Sequence, residues 1–397
     1  MQRELAQRLD ISLKDDAKTF KRLKFNFKKN KHQDHTELLD QAGSDFKYSD
    51  CKDEFWNPEK FSLLYGTPLW DQASKSERVL LNQLYWVGYY SQIISAEIAT
   101  IYFNQTAAAG LYGIEDFRLV CETLDFESMQ ERAHIEAFKI VSEEVEKEVF
   151  GKRIFTYPMR PYFSETMIFQ NTNFFKRLWK RFQLQSYGLL SSSNAFIACQ
   201  YLSVRGLRTL NGKIVQHQLS EFYEQADDKE NAPIPSKISY YHFMDESYHF
   251  NSSNIIGTDL LKMLKKPTAF EKRIATMGIE GTLKDHSHFT STVNGIFWYE
   301  PATFNAIYKV LRSRIFKLNH QDAIHMMELC FCQENQGMNE SFKTHQIALE
   351  SYKNYLQEID YLNDAAKDGG KMRSTSIESH LKSNKKALNS FKRKIYA

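Results

Sequence analysis

Two short motifs combine a carboxylate with an imidazole at a spacing that suits metal binding. Glu131 precedes His134 by three residues, and Glu246 precedes His249 by the same interval. On an α-helix, residues three apart project from one face, so each pair can bind one metal ion. A single motif carries little weight, because chance produces it in a chain of this composition. Two of them on successive predicted helices indicate a metal centre shared by facing helices.

Further residues extend this pattern. Glu97 lies on the helix predicted before Glu131, and His242 lies one turn before Glu246 on the same helical face. Burying so many carboxylates and imidazoles without partners would be very costly, and divalent cations remove that cost. Imidazole with carboxylate suits iron or manganese better than a metal that prefers thiolates. The predicted metal ligands are Glu97, Glu131, His134, His242, Glu246 and His249, and no other catalytic residue is assigned.

Polar residues beside these ligands could orient them. Asp245 precedes Glu246 and is placed to accept a hydrogen bond from His134 on the facing helix. Gln130 occupies the equivalent position on the other helix and could serve His249. Glu127, one turn before Glu131, is read as a solvated helix residue.

The third predicted helix does not provide the single carboxylate that such a bundle normally has. The sequence contains no Asp or Glu between Thr166 and Ser220. His217 is our first choice for a replacement ligand on this helix, and Glu221 is the second. The other alternative is that the coordination position is left open.

Four long helices must position these residues. Apolar periodicity and helix-end signals predict them over residues of about 76–113, 116–150, 189–225 and 237–264, with a crossover between the second and the third. The predicted fold class is all-α: a ferritin-like four-helix bundle with additional N- and C-terminal helices. The predicted segments are a basic N-terminal arm (1–55), the dimetal-binding bundle (56–265), a helical extension packed on the bundle (266–364) and a basic mobile tail (365–397).

Composition supports a helical chain and excludes several classes. Only 16 Gly and 8 Pro occur in 397 residues, which argues against sandwiches and barrels. A net charge of +3 and the lack of groove-reading motifs argue against nucleic acid as a partner. The five scattered cysteines, the charged N-terminus and the absence of a long apolar run predict a cytoplasmic protein with no membrane span.

The ligand pattern resembles a known group of enzymes. Glu97, the pair Glu131 and His134, and the triplet His242, Glu246 and His249 resemble the ligands of the p-aminobenzoate N-oxygenase family of non-haem di-iron enzymes. The segments FWNPEKFSLLYGTPLW and QERAHIEAFK are similar to the related dimetal-carboxylate halogenases of the cylindrocyclophane type. The missing third-helix carboxylate favours the halogenases, because a vacancy with one negative charge fewer lets chloride bind.

The resemblance implies an O₂-dependent enzyme that functionalises an unactivated C–H bond. It implies chlorination of a fatty acyl chain on an acyl carrier protein in natural-product biosynthesis, with two iron ions, or manganese or a mixed pair, and chloride as cosubstrate. The basic stretches 14–31 and 176–181 suit such an acidic carrier. An N-oxygenase that converts an amine to a hydroxylamine or nitro group, a hydroxylase or desaturase, and a metal-storage bundle remain alternatives, and a homodimer is left open.

Overall fold

The computed structural model describes residues 16–155, 174–287, 289, 295, 297–372 and 376–396, and it contains no strand among them. Among these residues, 3-10 turns span Glu115–Phe117 and Pro301–Thr303, and a π-helical turn spans Ile255–Leu260. The α-helices are α1 (Ala17–His32), α2 (Thr36–Asp45), α3 (Tyr48–Cys51), α4 (Pro68–Gln72), α5 (Lys75–Leu111), α6 (Arg118–Phe150), α7 (Phe174–Ser191), α8 (Ala195–Glu224), α9 (Ile234–Asn254), α10 (Leu261–Met263), α11 (Ala269–Asp285), α12 (Phe304–Leu311), α13 (His320–Cys332), α14 (Gln336–Gln357), α15 (Asp364–Lys367) and α16 (Ile377–Tyr396).

Helices α5, α6, α8 and α9 form the ferritin-like bundle, which confirms the predicted fold class. Local signals set their ends. Ser74 accepts a hydrogen bond from the backbone of Glu77, whose side chain binds Ser74 in return, so α5 starts with a capping box. Gly151 ends α6 in the left-handed region, at φ 69°, where a residue without Cβ is favoured.

The third bundle helix begins later than predicted. Asn194 accepts a hydrogen bond from the backbone N–H of Ile197 and caps α8, so the residues from 189 to 191 belong to α7 instead. Helix α8 then continues through Gly212 without interruption. At its other end α9 passes into the π-helical turn, where Gly257 lies directly against the backbone of Ser203.

An aromatic core fills one end of the bundle. Trp86 and Tyr90 of α5 lie with ring centroids 4.4 Å apart, and Tyr90 lies 4.2 Å from Phe138 of α6. All three side chains are fully buried. Large buried aromatic side chains are a main source of core stability, so this cluster fixes α5 against α6.

The N-terminal helices pack on the bundle. Of the predicted basic arm, residues 1–15 lie outside the described residues, and α1 buries Leu23, Asn26 and Asn30 on its inner face. The side-chain amide of Asn26 donates to Ser252 Oγ at 2.8 Å, which ties α1 to α9. Helix α1 therefore covers one side of the bundle.

The C-terminal helices also pack on the rest of the chain. Tyr355 of α14 donates its hydroxyl to the carbonyl oxygen of Ser203 at 3.2 Å. In the segment 365–397, expected to be a mobile tail, α16 instead buries Leu388 and Asn384, and the Asn384 amide donates to the carbonyl oxygens of two other segments. In the described part of the chain, no helix is both long and apolar enough to cross a bilayer.

Candidate metal centre

Three bundle helices bring the six predicted ligands together. Helix α5 supplies one of them, α6 supplies two and α9 supplies three, and each residue is at most 9% exposed. Because the residues on α6 and on α9 recur at three- and four-residue intervals, each helix turns its set toward a common interior. The residues are Glu97, Glu131, His134, His242, Glu246 and His249.

The first group of ligand atoms comes from Glu97, His134, His242 and Glu246, and all of these atoms lie within 4.8 Å of one another. His242 Nε2 lies 3.1 Å from Glu97 Oε1, and His134 Nδ1 lies 3.6 Å from the same oxygen. Two imidazole nitrogens and two carboxylates around one point suit a divalent transition metal.

A second group adjoins the first and shares Glu246 with it. Its ligand atoms come from Glu131, Glu246 and His249, again within 4.8 Å of one another. His249 Nδ1 lies 2.9 Å from Glu246 Oε1 and 3.3 Å from Glu131 Oε1. Because Glu246 belongs to both groups, it is placed to bridge two neighbouring cations, and the residues fit a dinuclear centre.

The electrostatics of the cluster explain why cations fit. Burial raises the pKa of Glu97. Burial also opposes ionisation of Glu131, but His249 and His134 outweigh it and lower the pKa of that carboxyl. Burial disfavours the charged form of His249, yet Glu246 and Glu131 raise its pKa to about 10. Protons on imidazoles and divalent cations are thus alternative ways to balance these carboxylates, so metal binding must release protons.

The far side of two imidazoles is held by the residues expected there. His134 Nε2 lies 3.2 Å from Asp245 Oδ2, and His249 Nε2 lies 2.9 Å from Gln130 Oε1. Both partner atoms are acceptors, so each ring holds a proton on Nε2. Its Nδ1 faces the carboxylates, where it donates a proton when the imidazole is charged and can bind a cation when the imidazole is neutral. Contacts of this kind fix the tautomer and orientation of a metal-binding histidine.

The N-terminal segment adds contacts that sequence reasoning missed. The amide of Gln130 exchanges hydrogen bonds with the amide of Asn30 at 3.0 Å, and its Nε2 also donates to Asp34 Oδ1 at 3.1 Å. His35 Nδ1 lies 2.9 Å from Asp245 Oδ1. The spacing of Asn26 and Asn30, four residues apart on one side of a helix, was a weak sequence signal for a polar contact, and the structure shows both side chains buried.

Neither predicted replacement ligand on α8 reaches the cluster. The side chains of His217 and Glu221 are 53% and 40% exposed, and they lie 3.7 Å apart on the outer side of the helix. The inward positions nearby belong to Val215 and Leu219, which are buried. The expectation of a ligand at His217 or Glu221 is therefore corrected, because the rotation of α8 about its axis turns both residues toward solvent.

The charged residue that α8 does bring inward is Arg205. Its guanidinium lies 2.7 Å from a carboxylate oxygen of Glu127, and it donates to Asn104 Oδ1 at 2.9 Å and to the carbonyl oxygen of His249 at 3.1 Å. Glu127 is fully buried, so its reading as a solvated residue is wrong. The third helix thus contributes a cation, in an ion pair one turn from Glu131.

Comparison with known proteins agrees with this geometry. The sequence matches the family model described as acyl halogenase CylC-like over residues 18–392. No curated protein and no solved structure matches the chain. The family match includes all four bundle helices, the six clustered residues and the helices packed around them. The chain therefore belongs to the CylC-like acyl halogenase family.

Proposed function

We propose that this protein is an O₂-dependent di-iron halogenase that replaces hydrogen by chlorine on an unactivated carbon of a fatty acyl chain. The observation that carries the proposal is the buried set of three carboxylates and three imidazoles, in a chain with no Asp or Glu between Thr166 and Ser220. The family match supports halogenation over N-oxygenation. We also propose residues 56–265 as the metal-binding unit, with α1 completing it.

The charge of the ligand set favours an anionic cosubstrate. Two divalent cations carry four positive charges, whereas Glu97, Glu131 and Glu246 carry three negative charges when ionised. The third helix adds Arg205, which forms an ion pair of no net charge with Glu127 of α6, rather than a fourth carboxylate. Chloride would balance the remaining charge, and a fourth carboxylate would remove the need for it.

Two bound iron ions would supply the oxidising chemistry, and the protein would supply position and exclusion of water. Phe138 and Tyr90 lie 5.0 Å and 5.7 Å from the ring centroid of His242, so apolar rings line the histidine side of the cluster. Dry apolar surroundings limit competing attack by water. The balanced reaction takes one C–H bond, one chloride, one O₂, two electrons from an external reductant and three protons to one C–Cl bond and two waters.

A carrier protein is the proposed source of the acyl chain. A surface cavity of about 500 Å³ has three lysines and one carboxylate in its lining, so its charge is positive on balance. It is lined by Lys24, Phe27, Lys28, Lys31 and His32 of α1 and by Leu119 and Glu122 of α6. The opposite face of α1 holds Asn30, which contacts Gln130 beside the cluster. An acidic carrier protein on these cations would therefore lie one helix away from the metal ligands.

The test is turnover by the purified full-length protein loaded with ferrous iron. With O₂, a reductant, chloride and acyl carrier proteins bearing saturated chains of several lengths, we expect intact-mass shifts of one hydrogen replaced by one chlorine. Bromide should give the corresponding bromine shift, and Glu246→Ala should abolish both. Oxidation of the chain or of an amine at the same rate without halide would refute halogenation and favour the hydroxylase or N-oxygenase alternative. Bound metal without O₂ uptake would favour storage.

A further inference from the structure

Helix α7 presents an apolar face to solvent. Five large apolar side chains in its first three turns are each more than half exposed, from 53% for Leu178 to 78% for Phe175. They lie at positions i, i+1, i+4, i+5 and i+8, which share one side of a helix. The five residues, called here the α7 face, are Phe174, Phe175, Leu178, Trp179 and Phe182.

The rings of the α7 face pack on each other. Phe174 and Phe175 have ring centroids 5.6 Å apart, and Trp179 and Phe182 are stacked at 5.7 Å. A monomeric soluble protein rarely leaves so large a contiguous apolar patch in water, and such patches mark interaction sites.

The C-terminal half of α7 is anchored to the bundle. Tyr187 lies 5.9 Å from Phe103 of α5, ring centroid to ring centroid, and its hydroxyl donates to Gln200 of α8. Gly188 lies directly against the ring of Tyr102, so a side chain at this position would force Tyr102 to move. The helix is therefore held at one end, and its apolar N-terminal half is presented at a fixed place on the surface.

The basic residues in the sequence of α7 indicate that its partner is negatively charged. Lys176, Arg177, Lys180 and Arg181 are interspersed with the apolar positions, and no acidic residue occurs between Thr166 and Ser220. Helices that combine Trp, Phe and Leu on one side with Lys and Arg elsewhere are typical of segments that lie in the surface of an anionic bilayer.

We propose that α7 is a monotopic membrane anchor that inserts the α7 face into the surface of an anionic lipid bilayer. A second copy of the chain would cover the α7 face, but it would not account for the four basic residues of the same segment. An acidic protein would pair with the cations but would have to bury five large apolar side chains as well. A lipid surface satisfies both features at once.

Trp179 provides a direct readout. It is 61% exposed, whereas the other four tryptophans, Trp56, Trp70, Trp86 and Trp298, are buried, so a change of emission on vesicle binding reports on α7. With the full-length protein, we expect a blue shift and loss of acrylamide quenching on adding vesicles of phosphatidylcholine with phosphatidylglycerol. Phosphatidylcholine alone should have a much smaller effect, and added salt should weaken the binding.

Vesicle flotation separates the apolar and the charged contributions. The variant W179S/F182S should lower the partition coefficient at least about tenfold, and K180Q/R181Q should lower it about tenfold on anionic vesicles only. F270S is the matched control, because Phe270 of α11 is equally exposed at 58%, and its binding should equal that of the unmodified chain. A second variant, F174S/F175S, keeps the fluorescent reporter and should bind as weakly as W179S/F182S.

Three results would overturn the proposal. One is the absence of binding to anionic vesicles by the unmodified chain, and another is unchanged binding by both serine variants. The third is evidence for another occupant of the α7 face while vesicles have no effect on the emission of Trp179. That evidence would be a dimer in light scattering that W179S/F182S converts to monomer, or protection of Trp179 from acrylamide by an acyl carrier protein. Because no turnover is measured, failure of the chlorination experiment would leave this result unchanged.

Discussion

The buried ion pair between Arg205 and Glu127 makes a strong prediction about stability. Glu127→Gln keeps the shape of the side chain and removes its charge, which leaves the buried Arg205 guanidinium without the carboxylate that pairs with it. Arg205 is 4% exposed and Glu127 is fully buried, so water cannot replace the lost partner. Removing one member of a buried pair costs about 3–5 kcal/mol. We expect about 3 kcal/mol, the lower end of that range, because Asn104 and the His249 carbonyl still accept hydrogen bonds from the guanidinium.

The assay is urea unfolding of the metal-free chain, followed by the helical circular-dichroism signal. Glu122→Gln is the matched control on the same helix, because Glu122 pairs with Arg118 at the surface, where ion pairs contribute little. The double variant Glu127→Gln with Arg205→Met removes both charges. It should recover a large part of the lost stability, because no unpaired charge then remains buried.

Two outcomes would refute this reasoning. If Glu127→Gln destabilises the chain no more than Glu122→Gln does, the guanidinium is not desolvated as the structure shows. If the double variant loses the sum of the two single losses, the two side chains are not coupled. Either result would also contradict our inference that an ion pair of no net charge, rather than a fourth carboxylate, lies beside the proposed metal ligands.

Three further predictions concern metal binding. Asp245→Asn should weaken the affinity for ferrous iron about 10- to 100-fold in chelator competition, because Asp245 holds His134 Nε2; an unchanged affinity would contradict that role. His217→Ala and Glu221→Gln should retain the full metal content by mass spectrometry, whereas loss of one ion would show that α8 does supply a ligand. Because neighbouring carboxylates raise the pKa of His249 to about 10, the affinity should rise with pH toward that value, and calorimetry in buffers of different protonation enthalpy should detect released protons. A heat that does not depend on the buffer would exclude this coupling.

Most of the bundle and the clustering of the six residues could be predicted because the relevant signals are local. The i, i+3 spacing of Glu131 and His134, and of Glu246 and His249, puts each pair on one helical face whatever the tertiary packing. Helix ends followed from single residues, such as Gly151 after α6. Because burying charged residues on apolar faces without partners costs much free energy, the sequence predicted a metal centre that the facing helices share.

The rotation of each helix about its own axis could not be predicted from the sequence. The short loop between α8 and α9 constrains which levels of the two helices meet, and His217 lies beside Phe243 of α9, at 5.2 Å between ring centroids. Which side of α8 faces the bundle depended on the packing of its whole length, including Gly257 against Ser203. That rotation turned His217 outward and Arg205 inward.

The sequence by itself thus determined the helical class, the six clustered residues and the missing carboxylate, since these depend on residue type and on spacing within one helix. Only the tertiary structure decided the partners that hold the cluster, because they come from segments far apart in the sequence: Asn30 beside Gln130, and His35 beside Asp245. The same holds for Arg205 beside Glu127. Contacts between distant segments depend on how the helices rotate and dock, and the residue pattern within one helix does not reveal which segment packs against it.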